Sequence, residues 1–193
     1  MREAAIDNDF VLHLAEINWP PEELYNKVKL YFSGMDLNPM MHELVYSHEL
    51  DCGTDNDKVS RALEFFRLDV IKVKKIKSFL ETDVKKKYYE VVFKEIYRDF
   101  RGDIPEGLNN IFIDWKSHAS LGETHTIAMC FVIGCDVFLS DDGDSKRLAR
   151  ILESKKAFTI NVYTRSEAME KLKKDFSKLG KHDRRALKHR HTH

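Results

Sequence analysis

Carboxylates fall where short apolar runs end. Ala4-Ala5-Ile6 stops at Asp7, with Asp9 close behind, and Val137-Phe138-Leu139 gives way to Ser140, Asp141, Asp142, Gly143 and Asp144. Glu123 opens a helical stretch ahead of the second run. Acids crowded at one edge repel, so a close group persists with a cation between its members or with raised pKa values. Hard oxygen donors at short reach suit Mg²⁺ or Mn²⁺. The chemistry this favours is attack of a metal-activated water on a phosphodiester. The same residues have a plainer use, since Asp at a strand end caps the next helix and Asp-Asp-Gly-Asp is an ordinary turn sequence. The metal reading draws its weight from the coincidence of both strand ends with Glu123.

The elements that must position these acids follow from apolar spacing. Ala4–Ile6 reads as a buried strand and Asp9 to Glu16 as a short helix. Pro20-Pro21-Glu22-Glu23 has the proline and acids of a helix start, and the helix runs to Gly34. Leu37–Met41 reads as a second strand, followed by a helical pattern over 43–50. From Lys58 to Phe100 the period is helical and the stretch is rich in charge and aromatics, which predicts two or three helices inserted into the core fold. A helix opening at Ser120 and running to Gly134, a strand at 137–139, a helix over 145–155, a strand at 158–163 and a helix over 166–179 complete the chain. Short buried strands alternating with helices predict an α/β protein, a three-layer α/β/α sandwich with a mainly parallel sheet plus an inserted helical segment at about 57–100. Residues 1–180 form one domain in this reading, and 181–193 a basic, His-rich tail that frays.

Composition narrows the classes. The chain has 193 residues with Lys+Arg 32 and Asp+Glu 32, a formal charge of +0, which argues against a polybasic binder while leaving local patches open. A hydrophobic share of 42% is globular and unlike disorder. Cys52, Cys130 and Cys135 form no CxxC pair, so a disulfide framework or structural zinc is not expected, Cys130 and Cys135 read as core, and a reducing, cytoplasmic setting is. No signal peptide, transmembrane helix or membrane partner is read. Nucleotide-binding glycine loops and a Gly-x-Ser-x-Gly elbow do not occur.

Three segments together resemble the acidic motifs of PIN-domain proteins: Ala5-Ile-Asp-Asn-Asp-Phe10, Leu121-Gly-Glu-Thr-His-Thr-Ile-Ala128, and Val137-Phe-Leu-Ser-Asp-Asp-Gly-Asp144 followed by Arg147-Leu-Ala149. Their order and the intervening pattern also match, apart from the Lys58–Phe100 helices and the tail. Family members are typically metal-dependent endoribonucleases, many of them toxins of toxin–antitoxin pairs. The resemblance therefore implies an RNA substrate, Mg²⁺ or Mn²⁺ as cofactor, an antitoxin or other protein partner, and a homodimer. By resemblance Asp7 is the first ligand, Glu123 the acid on the later helix, and Asp141 or Asp142 the acid after the fourth strand, with Asp144 assisting. The family's second acid follows strand two: Glu43 is nearest, and Glu49 in His48-Glu49-Leu50 is its rival.

In the insert, Lys74, Lys75, Lys77, Lys85, Lys86 and Lys87 lie beside Tyr88, Tyr89, Phe93 and Tyr97. Lysines among aromatics can hold a phosphate backbone and stack bases, whereas aromatics at helical spacing also build cores. His118 and His125 flank Glu123, within reach of a substrate phosphate or a helix cap, and His182, His189, His191 and His193 could bind metal nonspecifically. Two further readings stay open. Asp7-Asn8-Asp9 after a strand, with the later Asp pair, is similar to haloacid dehalogenase-type phosphatases, where the first Asp is a nucleophile and the second a general acid. The other is a catalytically silent RNA- or protein-binding module whose acids are caps.

Overall fold

The computed structural model describes residues 1–53, 56–104, 108, 110–113, 120–155 and 158–188. His118, His189, His191 and His193 lie outside the described residues. Among these, five parallel strands form one sheet: β1 (Arg2–Ile6), β2 (Leu37–His42), β3 (Lys72–Lys74), β4 (Val137–Leu139) and β5 (Asn161–Tyr163), in the order β3-β2-β1-β4-β5. Parallel strands buried on both faces need apolar residues throughout. In β1, Ala4 and Ile6 join one core and Ala5 the other, and in β4, Val137 and Leu139 oppose Phe138 in the same way.

Helices cover both faces. α1 (Asn8–Ala15), α2 (Pro21–Gly34), α4 (Asp57–Arg67), α9 (Arg165–Lys171) and α10 (Lys181–Lys188) contribute to the core that includes Ile6. α6 (Asp83–Arg101), α7 (Leu121–Ile133) and α8 (Gly143–Ser154), with the short α5 (Ile76–Phe79), contribute to the core that includes Ala5. The three-layer α/β/α sandwich with a parallel sheet is thus present. α3 (Glu43–Val45) leads straight into a π-helical turn, Tyr46–Leu50. π turns recur at functional sites because the extra residue re-aims side chains.

Three segments differ from the sequence expectation. The helix expected over 166–179 ends at Lys171 as α9. The stretch expected as helical insert holds α4, α5 and α6 and also the edge strand β3, paired with β2 from Met40↔Lys72 to His42↔Lys74. A three-residue strand flanked by lysines carries too little alternation to stand out from the surrounding helical period. The basic tail folds over 181–188 into α10, anchored by Leu187, which is fully buried, and by the Ser166 hydroxyl donating to the Lys188 carbonyl at 2.8 Å.

α6 is locked to the core by a buried polar bridge. The Tyr89 hydroxyl lies 2.9 Å from His42 Nε2 and 2.7 Å from His125 Nδ1, joining the end of β2, α6 and α7. His42 Nδ1 accepts the Leu44 amide at 3.1 Å, so its proton sits on Nε2 and faces Tyr89. Burial holds His42 down at about 3 and His125 well below the usual range, leaving both rings neutral.

Candidate functional site

The strand order reverses between β1 and β4, and in open parallel sheets ligands gather beyond the carboxyl ends at that point. Ile6 pairs with Leu139, and the Asp7 amide donates to the Leu139 carbonyl at 2.9 Å, so Asp7 and Ser140 emerge side by side. Asp7 is 4% exposed. Its Oδ1 accepts the Asn8 amide at 2.8 Å and its Oδ2 the Ser140 hydroxyl at 3.0 Å. Ser140 in turn accepts from the Asp142 amide at 3.1 Å and lies 2.9 Å from the Ser145 hydroxyl. One small hydroxyl therefore ties the two strand ends together.

Glu123 and Glu49 complete the group. From Leu121 to Cys130, α7 is buried at every position except Glu123. The π-helical turn carries Glu49 against the start of α7, where its Oε1 stands in the space that a Cβ on residue 122 would need. Gly122 is thus what lets the two glutamates share a rim. Asn8 fastens the same turn, its side-chain amide donating to the Glu49 carbonyl at 3.4 Å.

Mutual repulsion is visible in the proton affinities. Burial, then the charges of Asp9, Glu123 and Glu49, push the Asp7 carboxyl well up. Burial and the charges of Glu123 and Asp9 push Glu49 up to about 7. Burial, with Asp142, Asp9 and Asp144 nearby, does the same to Glu123, also to about 7. Asp9 is raised by burial and by Asp141, and its Oδ1 is buried without a hydrogen-bond partner. Asp7, Asp9, Glu49, Glu123 and Asp142 therefore act on one another as a single electrostatic group. Among the described residues, no three or more His, Cys, Asp or Glu side chains already stand in a metal-holding arrangement.

Three expected site residues are engaged elsewhere. Glu43 Oε2 accepts the Ile76 amide at 2.8 Å and Oε1 pairs with Lys75 at 3.2 Å, so it caps α5 and leaves the rim to Glu49. Asp141 is 7% exposed and turned into the fold, where Oδ1 accepts the Arg165 amide at 3.1 Å. Its Oδ2 accepts Arg165 Nε at 2.8 Å and lies 3.1 Å from His13 Nδ1. With Arg165 only 1% exposed, this is a buried ion pair that fixes α9 to β4. Asp144 Oδ2 accepts from Arg101 Nη2 and from the Ser120 hydroxyl, each at 3.0 Å, which clasps the end of α6 to α8. Asp142 is exposed, and its Oδ1 accepts the Asp144 amide at 2.9 Å, capping α8.

The insert residues divide. Tyr89, Phe93 and Tyr97 are core, while Tyr88 is 59% exposed. Lys74 pairs with Glu3 at 3.0 Å, Lys75 with Glu43, and Lys85 with Glu81 at 3.3 Å. Lys86 lies over the Phe112 ring, 5.5 Å from its centre, and Lys77 and Lys87 are exposed. Cys130 and Cys135 are buried and Cys52 is exposed, and none of the three is in a disulfide. Among the described residues no helix is long and apolar enough to cross a membrane. No family model matches the chain, and no curated protein or solved structure matches it either.

Proposed function

We propose that the chain is a Mg²⁺- or Mn²⁺-dependent endoribonuclease of PIN-like type. The observation that carries this reading is the convergence of Asp7, Asp9, Glu49, Glu123 and Asp142 beyond the carboxyl ends of β1 and β4, close enough to raise one another's proton affinity. Carboxylates that repel, with Asp7 buried and one Asp9 oxygen buried without a hydrogen-bond partner, form a donor set suited to a hard divalent cation. Asp7, Glu49, Glu123 and Asp142 would hold the ion.

When bound, such an ion lowers the pKa of a coordinated water and offsets phosphate charge. The chain's own groups do the rest. Ser140 and the Asn8 amide fix both Asp7 oxygens, so the carboxylate needs no reorganisation when charge develops. Without the ion, burial and mutual repulsion raise Glu49 and Glu123 to about 7, so binding of the cation to their carboxylates would release protons.

Incubation of end-labelled single-stranded RNA with the protein tests the reading. Internal cleavage is expected with Mn²⁺, none with EDTA, and a loss of about a hundredfold or more for Asp7→Asn and Asp142→Asn. Hydrolysis of an aryl phosphate without RNA cleavage would instead establish a phosphatase. Tight RNA retention without metal-dependent cleavage would establish a binding module.

A further inference from the structure

A second charged region lies outside the acidic rim. α9 and α10 pack against each other, with Lys188 at the end of α10 beside Ser166 at the start of α9. Between them runs a groove of about 460 Å³ walled by Lys173, Lys174, Lys181, Arg184, Arg185 and Lys188. Its floor is apolar, formed by Met169 and Phe176. Lys174 pairs with Asp36 at 2.5 Å and Lys188 with Glu170 at 2.8 Å. Among the described residues, no carboxylate forms an ion pair with Lys173, Lys181, Arg184 or Arg185, and all four are exposed. In a chain whose formal charge is +0, this is a marked local excess of positive charge.

The groove also has a direction. Its Lys188 end lies at Ser166, next to Arg165, whose guanidinium holds Asp141 behind the acidic rim. Its Lys174 end lies at the amino ends of β1 and β2, where the Lys174 amide donates to the Gly34 carbonyl at 3.1 Å and the Asp36 carbonyl accepts the Arg2 amide. The groove therefore runs from beside the carboxyl rim toward the amino ends of the strands. Of the insert lysines, Lys74, Lys75 and Lys85 are each matched to an acid and Lys86 lies over the Phe112 ring.

We infer that the α9–α10 groove is a binding site for the phosphate backbone of single-stranded RNA, separate from the acidic rim and feeding it. Regularly repeated phosphates match a row of cations along a groove, and its lining includes the partly exposed Phe176, an aromatic of the kind on which bases stack. A folded acidic protein would present its carboxylates on a surface of fixed curvature, which a narrow groove with an apolar floor fits less well. The inference rests on the proposed function only for the identity of the polyanion.

Binding is measured by fluorescence anisotropy with a labelled 20-nucleotide oligouridylate in EDTA, using the full chain at several salt concentrations. The wild type is expected to bind with strong salt dependence, and Arg184→Glu/Arg185→Glu to lose about tenfold or more in affinity. Its slope of log affinity against log salt should fall by about 1.4, or about 0.7 for each phosphate contact removed. Lys173→Gln/Lys181→Gln, milder changes on exposed side chains, should shift affinity and slope in the same direction. Lys86→Gln/Lys87→Gln should change affinity less than about threefold. Equal RNA binding by wild type and both groove variants, a loss confined to the Lys86/Lys87 variant, or binding of phosphatidylserine vesicles but not RNA would overturn the inference. Metal-dependent cleavage is scored separately, so a groove that binds RNA in a chain that never cuts it would sink the catalytic proposal alone.

Discussion

At the scale of single residues, the rim is built from carboxylates that would each be unremarkable alone. Glu49 has a folded pKa of about 7 against 4.5 for a free side chain, so between those values the folded chain binds more protons than the unfolded one. Stability linked to this group is therefore present at acid pH and lost as pH rises through about 7, by on the order of 3 kcal/mol. His42 and His125, buried and neutral, tilt stability the opposite way below their usual pKa, so the contribution of Glu49 must be read by difference. In EDTA, Glu49→Gln should gain melting temperature relative to the wild type as pH goes from 5 to 8, and a constant difference would contradict the assignment. Asp7→Asn should abolish RNA cleavage yet melt no lower than the wild type, because the amide oxygen can still accept from Asn8 and the amide nitrogen can donate to the Ser140 hydroxyl in place of accepting from it, while one repelling charge disappears. A steep fall in its melting temperature would make Asp7 a structural residue. Asp141 is the contrasting case. Asp141→Ala strands the buried Arg165 charge, and equilibrium denaturation should register a loss of about 3–5 kcal/mol.

At the scale of elements, the site depends on how α7 and the π-helical turn meet. Gly122→Ala would drive Glu49 off the rim, because the new methyl claims the position of its Oε1. Mn²⁺ affinity, followed by electron paramagnetic resonance, should fall about tenfold or more in that variant. Unchanged affinity would show that Glu49 is not needed. Tyr89→Phe removes the hydroxyl shared by His42 and His125 and takes from each buried ring the contact it makes there, a loss of about 1–3 kcal/mol in urea denaturation. The strands β1, β2 and β4, and the helices around them, are legible in the sequence because their apolar runs end in turn and capping residues. β3 is not, since Lys-Val-Lys reads as part of a helix until β2 offers it a partner. The choice of Glu49 over Glu43 is equally hidden, because only the π turn, which no local spacing announces, moves Glu49 to the rim while Glu43 is taken by the Ile76 amide. Asp141 illustrates the same limit. Its neighbour Asp142 has the same chemistry, and the partner that separates their roles, Arg165, lies 24 residues away in the chain. Ser140 could have been noticed as a small polar residue directly after a buried strand, but nothing in the sequence indicates that it bridges Asp7 and Asp142.

At the scale of the whole molecule, charge is sorted although its total is zero. Acids collect at the carboxyl rim of the sheet, and a row of cations lines the α9–α10 face. A polyanion could not approach the rim alone without an attractive surface nearby, and a divalent ion would convert the rim itself from repelling to attracting. The fold supplies the frame through one feature, the reversal of strand order between β1 and β4, which brings residues 7, 49, 123 and 142 together from four separate parts of the chain. The direct test is a crystal soaked in Mn²⁺ with anomalous diffraction measured at the manganese edge. One or two strong peaks bounded by Asp7, Glu49, Glu123 and Asp142 are expected. A well-diffracting crystal with no peak there, or with manganese bound only at distant surface carboxylates, would contradict this.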